Sequence, residues 1–146
     1  MTEQLSVTLA NRPAEIARLA GLVEALGNAH RLPQDVIFNI TVSLDEVLSN
    51  IFAYAYDNDG KREVHVRLRL DEEGVSAEVE DDGPAFNPLQ APPPDLEAGL
   101  ERRDTGGFGL HIVRSLMDAL DYRREGERNI LTMTKRLAAG GLPESS

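Results

Sequence analysis

The sequence contains no cysteine, which excludes disulfides, thiolate metal sites and cysteine nucleophiles. Its three histidines, at positions 30, 65 and 111, are scattered without the short spacing of paired metal ligands, so we expect no zinc site. No apolar run approaches the length of about 18 residues that a membrane helix needs. Residues 1–13 lack the basic and then apolar pattern of a secretory signal, and we therefore expect a cytoplasmic protein that does not bind the membrane.

Positive charge is also scarce. The 146 residues include 15 Lys and Arg against 25 Asp and Glu, which gives a formal net charge of −10. This excess repels phosphate backbones, so direct binding to nucleic acid or to an anionic membrane is not expected. An anionic small ligand is still compatible with the charge, because a local site can be positive within a negative protein. A basic protein partner would also suit it.

The hydrophobic patterning predicts an α+β protein. Residues 3–10 alternate weakly and predict a strand, and Asn11 is the expected N-cap of a first helix that ends near Gly27 or Asn28. Residues 32–56 have apolar positions at steps of three and four and predict a second, long helix. Residues 62–71 and 75–81 alternate cleanly and predict an antiparallel hairpin.

The second half of the chain begins with a proline-containing segment, residues 83–107, that predicts a long loop. A third helix and two further strands follow. The resulting order, β-α-α-β-β-loop-α-β-β, favours helices on one face of a mostly antiparallel sheet. We expect one domain over residues 1–146, with a core over about 5–137 and a frayed tail at 138–146.

The long helix carries a polar stripe opposite its main apolar face, formed by Asn39, Ser43, Glu46 and Asn50. Glu46 and Asn50 are four residues apart and so lie on one side of the helix. In an isolated helix such a stripe is typical of a solvent face. This helix has apolar residues beyond its main stripe, however, which favours protein or ligand on most of its sides. A carboxylate and an amide oxygen at this spacing suit the orientation of a nucleophile and the binding of a hard cation.

A second pattern, "EDDGPAFNP", follows a predicted strand. Asp81, Gly83 and Ala85 place a carboxylate at the strand end and small residues where the backbone turns or a ligand approaches. Alone, this pattern is typical of a simple turn.

A third pattern, "DTGGFGLH", joins a glycine-rich turn to the start of a helix. Unhindered backbone N–H groups at a helix N-terminus favour an anion, and Arg102 and Arg103 lie just before them. The alternative is a flexible loop without a ligand. The segment is not a Walker loop, because the Gly-Lys-Ser/Thr ending is absent, and no parallel βαβ unit surrounds it as in a dinucleotide fold.

Together and in this order, the three patterns resemble the N, G1 and G2 boxes of the GHKL ATP-binding superfamily. "LDEVLSNIFAYAY", "EDDGPAFNP" and "TGGFGLHIVRSLMDALDYRREGERNILTMTKRL" resemble more closely the anti-sigma-factor serine/threonine kinases, and the resemblance covers about residues 5–137. It implies a two-layer α/β sandwich of the GHKL (Bergerat) type, with a mostly antiparallel mixed sheet covered on one face by three helices.

The resemblance also implies roles for individual residues, with ATP and Mg²⁺ as cofactors. Asn50 would bind the magnesium ion, and Glu46 would be the general base for a hydroxyl of the protein substrate. Asp81 would accept a hydrogen bond from the adenine amino group, and Gly83 would let the backbone approach the base. Ala85 stands where the wider superfamily often has a second glycine.

The segment from Pro84 to Thr105 would form a lid over ATP. Gly107 and Gly109 would close on the phosphates. Further phosphate contacts are expected from Arg102, Arg103, Thr105, Gly106 and the N–H groups of Phe108 and Leu110. His111 is expected to be a packing or surface residue rather than a phosphoacceptor.

As a family expectation, the protein would sequester a sigma factor and phosphorylate a STAS-domain anti-anti-sigma protein, as a homodimer. The alternative is a non-catalytic, ATP-dependent interaction module that sequesters a regulatory partner without phosphotransfer. The carboxylate of Glu46 favours the kinase. A histidine kinase is disfavoured, because the chain has no room for a dimerisation helix pair that bears a phosphoacceptor histidine.

Overall fold

The computed structural model describes residues 3–52, 63–83 and 107–137, and for residues 107–111 the backbone only. The elements are β1 (Glu3–Ala10), α1 (Pro13–Ala29), α2 (Gln34–Asn50), β2 (Glu63–Leu70), β3 (Gly74–Asp81), α3 (Gly107–Leu116), β4 (Ala119–Glu125) and β5 (Arg128–Arg136). The predicted order of strands and helices is confirmed. The predicted lid, residues 53–56 of the predicted long helix and the tail after residue 137 lie outside the described residues.

The five strands form one sheet in the order β1-β2-β3-β5-β4. All four strand pairs are antiparallel, so the described sheet contains no parallel pair where a mixed sheet was expected. Strand β5 inserts between β3 and β4, and its register places Asn129 opposite Asp81. The C-terminal hairpin is thereby joined to the end of the central strand β3.

The three helices cover one face of the sheet, as predicted. In β2 the side chains of Val64, Val66, Leu68 and Leu70 are buried, whereas Arg67 and Arg69 are exposed on the opposite face. Helix α2 contacts both α1 and α3 and is therefore the middle helix. Burying one large apolar side chain contributes about 1.5–3 kcal/mol, so the two-layer core supplies most of the stabilisation. Fully buried residues in this core include Leu9, Leu19, Ile40, Leu48, Val64, Val66 and Met133.

The start of α1 differs from the prediction. Arg12 rather than Asn11 occupies the N-cap position, and no side chain caps the helix there. The carboxylate of Glu15 reaches back instead and accepts a hydrogen bond from the Ala10 N–H at 3.0 Å. Arg18 donates both to Glu15 at 2.7 Å and to the Thr8 carbonyl at 2.9 Å. This pair ties the helix to the edge strand, a link that a local capping pattern does not reveal.

One glycine is required by a close approach of backbones. A Cβ built on Gly74, at the start of β3, would lie 2.3 Å from the carbonyl oxygen of Lys135 in β5. Only a residue without a side chain lets the two strands pair at this point. Among the described helices, none combines the length and the apolar character that a membrane crossing needs.

Candidate functional site

The polar stripe of α2 lies on a buried flank of the helix. Residues Thr41, Leu44 and Leu48 line the contact with α1. At 100° per residue, Glu46 and Asn50 are roughly half a turn away from that contact, on the flank opposite α1, and α3 is the other helix that packs against α2. Ser43 and Asn50 are buried, and Asn39 and Glu46 are half-buried. The solvent-face alternative for this stripe is therefore wrong.

The side chain of Asn50 has a fixed orientation. Its Nδ2 donates to the main-chain carbonyl of Glu46 at 2.6 Å, one helical turn earlier. No donor among the described residues contacts its Oδ1, which leaves that oxygen available as a ligand. An amide oxygen is a suitable ligand for a hard cation such as Mg²⁺.

The carboxyl group of Glu46 is a stronger base than an exposed glutamate. Partial burial raises its pKa, and the adjacent carboxylate of Asp45 raises it further. Neither of these effects is offset by an ion pair, since no Lys or Arg in the described ranges pairs with Glu46. A carboxylate in this state is suited to accept a proton from a hydroxyl group.

The described residues do not form a metal cage by themselves, because they contain no cluster of three or more carboxylate or imidazole ligands. Magnesium usually takes one or two protein oxygens and completes its shell with phosphate oxygens and water. The single amide oxygen of Asn50 beside a half-buried carboxylate fits a magnesium ion bound together with a triphosphate.

A second buried carboxylate lies at the end of β3. Asp81 is 6% exposed, whereas the adjacent Asp82 is exposed to solvent. Its Oδ1 accepts hydrogen bonds from the Gly83 N–H at 2.9 Å and from Asn129 Nδ2 at 3.0 Å. Burial raises the pKa of Asp81, although these two hydrogen bonds act in the opposite direction. Asp81 therefore presents a poorly solvated acceptor on the helix-facing side of the sheet.

The residues that surround Asp81 are not predicted from the sequence. Asn129 on β5 is 6% exposed, and its Oδ1 accepts from the Tyr122 hydroxyl at 2.6 Å and from Arg124 Nη1 at 3.1 Å. Arg124 Nη1 also donates to the Gly83 carbonyl at 2.9 Å. Asn129 and Asp81 are 48 residues apart, and only the register of β3 with β5 brings them together. No local sequence pattern predicts the register of these two strands.

The described part of the glycine-rich segment, from Gly107 onward, lies in α3, and the predicted turn at residues 104–106 lies outside the described residues. The helix begins at Gly107, so Gly107, Phe108, Gly109 and Leu110 are its first residues. The N–H groups of a first helical turn have no acceptor within the helix, which is the property predicted for anion binding. The other predicted phosphate and lid residues lie outside the described ranges. They are Ala85, Arg102, Arg103, Thr105 and Gly106, and the side chain of His111 is likewise not described.

Comparison with known proteins gives a consistent result. Residues 9–135 match the family model of the histidine kinase-like ATPase domain. The chain is 37% identical over 108 residues to the serine/threonine-protein kinase BtrW of Bordetella bronchiseptica, covering 74% of this chain and 73% of that protein. It is 22% identical over 125 residues to the serine-protein kinase RsbW of Oceanobacillus iheyensis, covering 83% and 75%.

A solved structure shares the fold. A chain in the crystal structure of the SiaB–SiaC complex from Pseudomonas aeruginosa superposes with a TM-score of 0.61 at 13% identity, covering 91% of this chain and 89% of that one. With the family match over residues 9–135, the chain belongs to the histidine kinase-like ATPase domain family. The resemblance to serine/threonine kinases of the GHKL superfamily is confirmed.

Proposed function

We propose that this ATPase-family chain is a regulatory serine/threonine protein kinase that acts as an anti-sigma factor. It sequesters a sigma factor, and it phosphorylates a STAS-domain anti-anti-sigma protein that relieves the sequestration only while it is unphosphorylated. The observation that carries the proposal is the buried flank of α2, where Glu46 and Asn50 lie side by side in a chain similar to two named protein kinases.

In this proposal the nucleotide is ATP with Mg²⁺. Asn50 Oδ1 holds the magnesium ion, which neutralises charge on the triphosphate when bound. The backbone N–H groups of Gly107–Leu110 face the phosphates, and Asp81 accepts a hydrogen bond from the adenine amine. Glycine at position 83 lets the backbone pass close to the base. The whole chain then works as one ATP-binding domain.

Glu46 supplies the chemical step. The hydroxyl oxygen of a serine or threonine on the antagonist attacks the γ-phosphorus, and the bond from that phosphorus to the β–γ bridging oxygen breaks. The hydroxyl proton passes to the carboxylate of Glu46, and ADP leaves. Phosphoryl transfer depends mainly on positioning and charge neutralisation, which the base, the bound cation and the backbone N–H donors supply together.

Incubation of the purified protein with labelled ATP, Mg²⁺ and candidate STAS-domain proteins tests the proposal. We expect label on a serine or threonine of one antagonist, and release of a co-purified sigma factor as the unphosphorylated antagonist is added. Tight ATP binding without transfer to any antagonist would instead favour the non-catalytic interaction module. Failure to bind ATP would overturn both.

A further inference from the structure

Asn129 occupies a junction between three strands. Register places it directly opposite Asp81 on β3 and opposite Arg124 on β4. Its side chain lies on the helix-facing side of the sheet, in step with the core residues Leu131 and Met133 of the same strand. The proposed kinase mechanism assigns it no role, yet it is almost fully buried, at 6% exposure.

The partners of Asn129 fix which way its amide points. Its Oδ1 receives hydrogen bonds from the Tyr122 hydroxyl at 2.6 Å and from the Arg124 guanidinium at 3.1 Å. A guanidinium has donors only, so a flipped amide would direct its NH₂ group at another donor. The Nδ2 group therefore faces Asp81 Oδ1 at 3.0 Å and the Gly83 carbonyl at 3.3 Å.

In this arrangement one oxygen of Asp81 is hydrogen-bonded within the fold and the other is available to a ligand. Oδ1 is occupied by Asn129 and by the Gly83 N–H, and the two donors hold the carboxylate in one orientation. No described residue donates to Oδ2. A buried carboxylate with one satisfied and one open oxygen is ready to accept a hydrogen bond from a ligand amine.

We propose that Asn129 is a positioning residue for nucleotide selection: anchored by Tyr122 and Arg124, it holds Asp81 so that Oδ2 receives the exocyclic amine of adenine. The inference rests on the proposed binding of ATP. It goes further by assigning base discrimination to a contact between β3 and β5.

The test compares Asn129→Ala with the wild type and with Asn28→Ala, an exposed residue at the end of α1. Calorimetry measures affinity for ATP and for purine riboside triphosphate, which lacks the 6-amino group. A hydrogen bond to a charged group predicts that the wild type prefers ATP by about tenfold or more. Asn129→Ala is expected to lose most of this preference while its affinity for the analogue changes little, and Asn28→Ala to keep it. An equal loss of affinity for both nucleotides in Asn129→Ala would indicate a structural role and overturn the inference.

A second measurement needs no nucleotide. The carboxyl carbon of Asp81 is followed by NMR during a pH titration of the free protein. Since the Asn129 hydrogen bond lowers the pKa of Asp81, Asn129→Ala is expected to raise it further. An unchanged pKa would show that the contact does not act on Asp81.

The two proposals fail differently. If the wild type binds no ATP, the proposed function is wrong. If the wild type prefers ATP to the analogue and Asn129→Ala has the same preference, only the inference about Asn129 is wrong. Should Asn129→Ala not fold, Tyr122→Phe takes its place, because it keeps Asn129 and removes only one anchor of the amide. We expect a smaller loss of ATP preference in Tyr122→Phe, and full retention would count against the positioning role.

Discussion

Replacing Glu46 by glutamine tests the assignment of the general base. The substitution keeps the shape and the hydrogen-bonding capacity of the side chain but removes its basicity. A positioned general base contributes about 10²–10⁴-fold, so phosphotransfer to the antagonist is expected to slow by at least about 10²-fold. ATP affinity is expected to change little, because Glu46 acts on the proton of the protein substrate.

The pH dependence sharpens this prediction. A base works only when ionised, so the phosphotransfer rate should fall as pH falls through the pKa of Glu46. Burial and Asp45 both raise that pKa, which places the acid limb above the ordinary glutamate value of 4.5. The limb should be absent in Glu46→Gln, where nothing titrates at this position. Phosphotransfer time courses across pH at saturating ATP, beside calorimetric titrations, measure both quantities.

Asp45→Asn is the matched control on the same helix turn. Asp45 is exposed and accepts a hydrogen bond from the Ser49 hydroxyl at 3.1 Å, which an asparagine oxygen can still accept. Removing its charge lowers the pKa of Glu46, so the acid limb should move to lower pH while the maximal rate is retained. An undiminished rate in Glu46→Gln, or an acid limb that persists in it, would refute the base assignment.

Three further outcomes are expected. Asn50→Ala should weaken Mg-ATP binding by at least about tenfold, because loss of a residue that only hydrogen-bonds to a metal ligand already lowers metal affinity by that factor. Unchanged calorimetric affinity in the folded variant would show that Asn50 is not part of the site. ATP should be preferred to GTP by roughly ten- to hundredfold, because guanine presents a carbonyl to the Asp81 acceptor, and equal affinities in competition would argue against this base reader. Gly74→Ala should destabilise the fold by about 1–3 kcal/mol through overlap with the β5 backbone. Gly21→Ala, with open space around it, should instead stabilise α1 by up to about 1 kcal/mol, and urea unfolding of both variants measures the contrast.

The element order could be predicted from the sequence because it depends on local periodicity. The alternation of buried and exposed residues in β2 and the apolar steps of three and four in α2 depend only on the geometry of a single strand or helix. Both patterns are present in the structure. The prediction of Asn11 as the N-cap is wrong for the opposite reason. The start of α1 is fixed by a contact of Glu15 and Arg18 with the neighbouring strand, which is a tertiary interaction.

The candidate site likewise has one part that local sequence patterns predict and one part that depends on tertiary structure. Glu46 and Asn50 lie one helical turn apart, so their shared face follows from helix geometry alone. The surroundings of Asp81 required the order of strands in the sheet, in which β5 lies between β3 and β4. Tyr122, Arg124 and Asn129 look like ordinary strand residues until that order is known. Sequence patterns therefore found the carboxylate but not the side chains that orient it.

The end of β3 shows what separates a buried charge with a structural role from one with a candidate functional role. Glu80 and Asp81 are adjacent and both nearly buried, on opposite faces of the sheet. Glu80 is paired with the cations of Arg67 and Arg128, so its burial is compensated within the fold. Among the described residues, donors reach only one oxygen of Asp81, and burial raises its pKa. A buried acceptor left open costs stability unless a ligand completes it, which is why Asp81 rather than its neighbour is the candidate for reading a base.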